Sequence, residues 1–452
     1  MKTLLAAALA SAGLIPAPVL AQMHDHADMT HDTPAPSPTP EPPPAEPMND
    51  DAMADMPGMD HPMHGMDHAM PGMSAQAPFA TGSGTARLPD NEPMHGLHIA
   101  AGDWMLMAHG YVSTQYTDHS GPRGDDKPYV TSMAMLMADR ATSFGKVQLR
   151  SMFSLEPAMS ARGYPNLFAT GETADGRPLV DRQHPHDAFM ELAARVDFDL
   201  SPGTSLFVYG GPVGEPALGP SAFMMRSSAG LNPEPPITHH WFDSTHITYG
   251  VATAGLSSTH WQLEASAFRG AEPDERRWNI ETPKFDSWSV RATWTPARAW
   301  ALQASYGQIH QPEALHPGED EHRFTTSAHY SDGKGLSATA AFSAKDRVPG
   351  RTLTAWLAEA NWDLDKANTL FGRGENVAND ELFPDHDDPL HDRTFRVTKL
   401  QAGYARRIVL RPFSLALGGS LATYLKPAAL DAAYGDHPWG YTLFARVTLI
   451  GG

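Results

Sequence analysis

Cysteine is missing from all 452 residues, so neither disulfides nor thiolate metal sites are available, and soft-metal ligation falls to methionine. Beyond the N-terminus there is no run of about twenty apolar residues, which excludes a membrane-spanning helix and leaves strands as the route across a bilayer. Basic residues are scarce: 33 Lys and Arg stand against 52 Asp and Glu, for a formal net charge of −19. Nucleic acid, which needs clustered cations against its phosphates, is excluded as a partner, and metal cations are favoured. No phosphate-cradling glycine motif and no thiol nucleophile is present, so no organic cofactor and no catalysis are expected.

What the N-terminal fifth does contain is methionine, histidine and proline. Lys2, the apolar run Leu4 to Ile15 and Val19-Leu20-Ala21 read as a signal peptide over residues 1–21, cut before Gln22. Residues 22–101 carry no core-forming pattern and are expected to be a disordered tail in the periplasm, with Pro34 to Pro47 as an extended spacer. Met23, His24 and His26 begin one metal-like cluster. A second, MADMPGMDHPMHGMDHAMPGM, spans Met53 to Met73. Its candidate ligands are Met53, Met56, Met59, His61, Met63, His64, Met66, His68, Met70 and Met73, on a chain too rich in proline and glycine to be helical. Thioethers favour Cu(I) and imidazoles accept Cu(II), so the alternation suits copper ions in both states, with silver as a second soft cation. Methionine is normally spent on cores, and this tail has none to fill.

From residue 102 the texture changes to segments of about ten residues with period-two apolar alternation, the mark of strands. Sixteen are expected, near 103–117, 128–139, 145–156, 187–200, 205–212, 242–256, 261–270, 286–296, 300–310, 322–331, 335–345, 352–363, 368–375, 394–407, 412–425 and 438–450. Short turns such as Ser201-Pro202-Gly203 alternate with long loops, and Trp104, Trp261, Trp294, Trp300, Trp362 and Trp439 fall near strand ends. The all-β fold class that follows is a transmembrane antiparallel β-barrel of about 16 strands over 102–452, both termini periplasmic, with lipid around it. A soluble sandwich accounts less well for the long-short rhythm and the many polar second faces.

Alternation also assigns faces. Trp104, Leu106, Ala108, Gly110 and Val112 read as lipid-facing, so Met105, Met107, His109 and Tyr111 should point inward, and Met152 should join them; Met133, Met135 and Met137 share one face that is open to lumen or lipid, because both faces of that segment are nearly equally apolar. Met105, Met107 and His109 are therefore candidate ligands continuing the tail's chemistry. Histidines recur in DRQHPHD (His184, His186), THHWFDSTH (His239, His240, His246) and DHDDPLHD (His386, His391), in expected outer loops, where a pair such as His184/His186 could chelate but solvated or hydrogen-bonded roles are the commoner outcome. A hydrolytic Asp243-Ser244-His246 arrangement is disfavoured, because neighbouring residues of a strand point to opposite faces.

With MPGMDHPMHGMDHAMPGM ahead of a strand array, the arrangement resembles bacterial copper resistance protein B. The segments DRQHPHDAF, PITHHWFDSTHITYG and EPDERRWNIETPKFDSWSVRATW look like an uncharacterised family of proteobacterial outer-membrane barrels. The first resemblance implies copper binding at the periplasmic face, sequestration or passage across the outer membrane, and periplasmic copper carriers as partners. Two other readings compete: a general porin whose tail is a spacer, and an outer-membrane hydrolase built on the loop histidines.

Overall fold

The computed structural model of the protein describes residues 82–92 and 95–451. The chain divides between His68 and Ala69, and every described residue lies in the second unit. The fold is a closed barrel of sixteen antiparallel strands: β1 Trp104–His119, β2 Asp126–Thr142, β3 Gly145–Phe153, β4 Phe189–Ser201, β5 Thr204–Gly214, β6 Thr248–Ser258, β7 Trp261–Phe268, β8 Ser287–Ala297, β9 Trp300–Ile309, β10 Asp320–Ser331, β11 Leu336–Val348, β12 Thr352–Asp363, β13 Asn368–Asn379, β14 Phe395–Leu410, β15 Phe413–Leu425 and β16 Trp439–Leu449. Each strand pairs with its chain neighbours, and β16 closes on β1 from Gly110↔Leu449 to His119↔Gly440.

The alternation in the sequence becomes the two faces of the wall. On β8, Trp288, Val290, Ala292 and Trp294 face outward, while Ser289, Arg291 and Thr293 are buried in the lumen. The exterior is an apolar band, with Leu136, Leu149, Leu263, Leu400 and Leu443 exposed. Trp261 sits opposite Trp294 in register, and Trp300 packs on Tyr330 at 4.8 Å between rings, all at the short-turn rim. Trp439 and Tyr441 occupy the other rim. This is the apolar belt between aromatic girdles that a transmembrane barrel needs.

The lumen is filled. The loop between β5 and β6, residues 215–247, folds inward and is buried over most of its length. It is held there by charge. Arg226 of the loop donates to Glu359 of β12 at 2.8 Å, and Glu359 also accepts from Arg373 of β13 at 2.9 Å. Glu234, further along the loop, accepts from Lys399 of β14 at 2.7 Å and from Thr442 of β16 at 2.6 Å. Buried cations need such partners, because an ion left alone in a low-dielectric interior costs several kcal/mol, of order 3–5.

Two expectations are corrected. Defined structure is already present some twenty residues ahead of the expected boundary at 101. Residues 82–88 run through the lumen towards the short-turn mouth, their backbone hydrogen-bonded by wall side chains: Arg150 donates to the carbonyls of Gly82 and Gly84 at 2.9 and 3.0 Å, and Gln262 to that of Thr85 at 2.8 Å. Leu97–Ala101 then forms a short strand paired with Trp104–Ala108 of β1. These polar residues carry no periodicity, so their order, supplied by the wall, leaves no sequence pattern. The second correction concerns the strand expected over 242–256, which starts only at Thr248. Its first residues belong to the end of a helical turn, His239–Phe242, and to a tighter one, Ser244–His246; Trp241 and Phe242 are buried in an apolar cluster with wall residues such as Ala341 and Leu353.

Candidate functional site

Period-two geometry and strand register together gather the methionines. Met107 lies opposite Met137, His109 opposite Met135 and Tyr111 opposite Met133 across β1 and β2, and Met135 lies opposite Met152 across β2 and β3. Met190 follows at the start of β4, and Met224 and Met225 descend from the plug loop onto the same patch. Eight of the ten methionines among the described residues thus converge, and the barrel's other buried apolar clusters contain none. Around them is a cavity of about 210 Å³, also lined by Gly82, His109, Arg150, His186 and Phe223. Within it the Nε2 of His109 stands 3.2 Å from the sulfur of Met135.

Beyond this patch, towards the long-loop end, five histidines form a continuous cluster. Ring centres lie 5.4 Å apart for His186 and His246, 5.0 Å for His239 and His246, 5.3 Å for His239 and His240, and 6.2 Å for His184 and His240. All five are buried. Four have Nδ1 committed: His184 to the Pro185 carbonyl at 3.0 Å, His246 to the Asp243 carbonyl at 2.7 Å, His239 to the Asp243 carboxylate at 2.7 Å, and His186 to Glu156 at 2.8 Å. A carbonyl only accepts, so in His184 and His246 the ring proton sits on Nδ1 and a neutral ring presents its Nε2 lone pair. The Nε2 atoms of His184, His186 and His246 find no hydrogen-bond partner.

Electrostatics divides these rings. Burial, with Arg277 and neighbouring histidines, drives His184 well below the ordinary histidine range; burial, with His239 and His186, does the same to His246. Burial also lowers His239 despite Asp243. Burial opposes the charge on His240 too, but Glu272 and Glu172 outweigh it and push the group up to about 9. For His186, burial is likewise outweighed, here by Glu156, and the pKa rises. The cluster therefore mixes rings that burial disfavours as cations with two, His186 and His240, whose carboxylate neighbours favour the protonated form.

The site residues expected from the sequence fall in three groups. Met23, His24, His26, Met53, Met56, Met59, His61, Met63, His64, Met66, His68, Met70 and Met73 lie outside the described residues. Met107 and His109 line the cavity, as do Met133, Met135 and Met137. Met105 has the expected parity, but it lies opposite Asp139 near the mouth, 37% exposed, and is not among the cavity residues. Of the two roles expected for the histidines of DRQHPHD and THHWFDSTH, solvated or hydrogen-bonded, the structure shows the second: the β3–β4 loop and the plug fold them inside, where His184, His186, His239 and His246 are hydrogen-bonded. No Asp-Ser-His relay forms among the described residues: Ser244 accepts from Arg323 at 2.9 Å, and Asp243 turns its carboxylate to His239. Met190, Met224 and Met225 escape a sequence reading, since a methionine pair in a loop carries no facing information.

No protein-family profile and no curated protein matches the chain. Among solved structures it is similar to an anion-selective porin from Comamonas acidovorans, with 12% identity and TM-score 0.49, over 76% of this chain and 99% of that one. It is also similar to Salmonella typhi OmpF in complex with daunomycin, with 8% identity and TM-score 0.48, over 77% and 100%. A third is Pseudomonas putida OprB, with 10% identity and TM-score 0.46, over 76% and 94%. The chain is a closed sixteen-stranded antiparallel β-barrel of the outer-membrane type, its lumen occupied by an inward-folded loop.

Proposed function

We propose that this barrel sits in the outer membrane and binds monovalent copper, and silver, in its lumen, holding the ion or passing it across the barrel. One observation carries the reading: eight methionines from β1, β2, β3, β4 and the plug converge on one cluster, while the other buried apolar clusters among the described residues hold none. Thioether sulfur is a soft neutral ligand suited to Cu(I). Two to four such sulfurs, or sulfurs with the His109 imidazole, would satisfy one ion without introducing charge into the lumen. As a plain filler of irregular space, methionine would be expected in the other buried clusters as well. The tail is proposed as the periplasmic collecting arm. Met73 precedes Gly82 by nine residues, a tether of at most about 30 Å, and Gly82 lines the methionine cavity.

The test is Ag(I) binding to the full chain in detergent micelles, comparing the unaltered protein with a lumen set (Met133→Leu, Met135→Leu, Met152→Leu) and a tail set in which Met53 to Met73 methionines become leucine. Each set should remove its own class of sites, with silver–sulfur scattering in X-ray absorption lost in proportion. Silver binding unmoved by the lumen set refutes the reading. The closed sixteen-stranded barrel favours general solute passage as a second reading, and large, copper-insensitive conductance in planar bilayers would support it.

A further inference from the structure

Outside the thioether patch, the imidazole cluster formed by the plug and the β3–β4 loop has the makings of a different site. Ligand atoms of His184, His239 and His240 lie within 4.8 Å of one another, and so do those of Glu172, His240 and Glu272. Ligand atoms around one tetrahedral zinc-like ion, each at about 2.0–2.1 Å from it, stand about 3.4 Å apart, so the sets need to tighten by at most about 1.4 Å. The groups are already oriented from behind. His239 leans on Asp243, which is itself fixed by the Phe223 amide at 2.9 Å, and His184 leans on a backbone carbonyl. Such support at Nδ1 leaves Nε2 for a metal.

One contact speaks directly for a cation. The Nε2 of His184 carries a lone pair, yet it stands 3.2 Å from a carboxylate oxygen of Glu172 with no hydrogen bond between them, and both groups are buried. Two electron-rich atoms facing each other in a dry interior invite a positive charge between them. Arg277 sits on the other oxygen of Glu172 at 2.8 Å, and the oxygen that faces His184 is the remaining one. In a third acid-histidine cluster, Glu313, His316 and Glu381, the feature is missing because the His316 Nε2 already hydrogen-bonds to Glu381 at 3.0 Å.

We infer that His184, His239 and His240, with Glu172 and Glu272 alongside, bind one divalent transition-metal ion of borderline hardness, such as Zn(II), Co(II) or Cu(II). The site goes beyond the thioether reading and differs from it in ligand chemistry. It adjoins the methionine cavity through His186 and Phe223, which line that cavity and touch the histidine cluster. A soft site and a borderline site thus lie side by side along the lumen.

The experiment uses the full chain with the tail histidines His24, His26, His31, His61, His64 and His68 changed to serine, stripped of metal and titrated with Co(II). One equivalent should bind with the visible ligand-field bands of a nitrogen-ligated low-coordinate ion, displaced by Zn(II); Cu(II) in its place should show nitrogen superhyperfine splitting. His184→Asn and His239→Asn should each weaken binding at least tenfold. Gly171→Ala should weaken it as well, since a Cβ there would meet the His240 ring at 2.6 Å. His310→Asn, at the half-exposed rim beside Asp320, should leave binding unchanged. Folding of every variant is checked by the heat-dependent mobility of the barrel on gels. Absence of the bands in the unaltered lumen, or their persistence in a folded His184→Asn/His239→Asn variant, overturns the inference. Ag(I) titration of the same protein separates the two sites: silver bound without cobalt removes only this inference, and cobalt bound without silver removes only the thioether reading.

Discussion

The plug is held in the lumen by Glu359, and the strength of that hold can be measured. Glu359 is the shared acceptor of Arg226 from the loop and Arg373 from the wall, with all three side chains at most 2% exposed. Glu359→Gln keeps the shape but leaves two buried guanidiniums against a neutral amide, a change that costs about 3–5 kcal/mol in buried pairs. Asp243 lies 3.5 Å from Arg226 and retains part of its compensation, so the lower figure, about 3 kcal/mol, is the one to expect. If loop release relieves the charge, the released population rises roughly hundredfold. Because the chain has no cysteine, Ala229→Cys, buried in the plug, makes a unique reporter. Its maleimide labelling rate, compared with and without Glu359→Gln, reads the released population when reclosing is fast. A hundredfold acceleration is expected; a change of less than about threefold would refute the argument that this ion triad secures the loop.

Other outcomes follow from the same structure. Gly219→Ala should also accelerate labelling at residue 229, because Gly219 has φ +79° and an added Cβ would sit 2.0 Å from the Phe242 carbonyl oxygen. Leu136→Arg, on the outward face of β2 where the residue is 53% exposed, should lower barrel stability in lipid by about 2–4 kcal/mol; urea titration in vesicles would show it, and no loss would argue against a hydrocarbon surround. Burial raises Asp181, in the loop between β3 and β4, from 3.8 to about 6 against the pull of the Phe168 amide and Arg123. A carboxyl raised in the folded state binds more protons than the unfolded chain, so its contribution is full below pH 3.8 and falls as pH rises through about 6. The whole effect is of order 3 kcal/mol. Asp181→Asn should flatten the fall in melting temperature between pH 4 and 7; an unchanged slope would show that Asp181 does not cause it.

The wall was readable because its code is local: outward Trp288, Val290 and Trp294 against inward Ser289, Arg291 and Thr293 state strand and facing in seven residues. The inward parity of Met107 and Met152 followed from the same rule, whereas the nearly equal faces around Met133 and Met135 left theirs open. The plug obeys no such rule. Residues 215–247 satisfy buried polar groups with one another and with distant strands, as Glu234 does with Lys399 and Thr442, so in sequence they read as solvated loop. His184 and His239, 55 positions apart, meet only because two loops fold under the same rim.

The short strand Leu97–Ala101 bears on more than the position of the boundary at 101. β16 ends at Leu449, opposite Gly110, and Trp104–Ala108 of β1 would otherwise present bare amides and carbonyls along the barrel's seam. Leu97–Ala101 caps that seam. Cutting the chain at residue 102 would therefore do more than detach the tail: it would open a five-residue sticky margin, able to capture a strand from a neighbouring copy in the crowded plane of the membrane. The segment that follows the methionine tail in sequence thus also completes the hydrogen bonding of the barrel's seam.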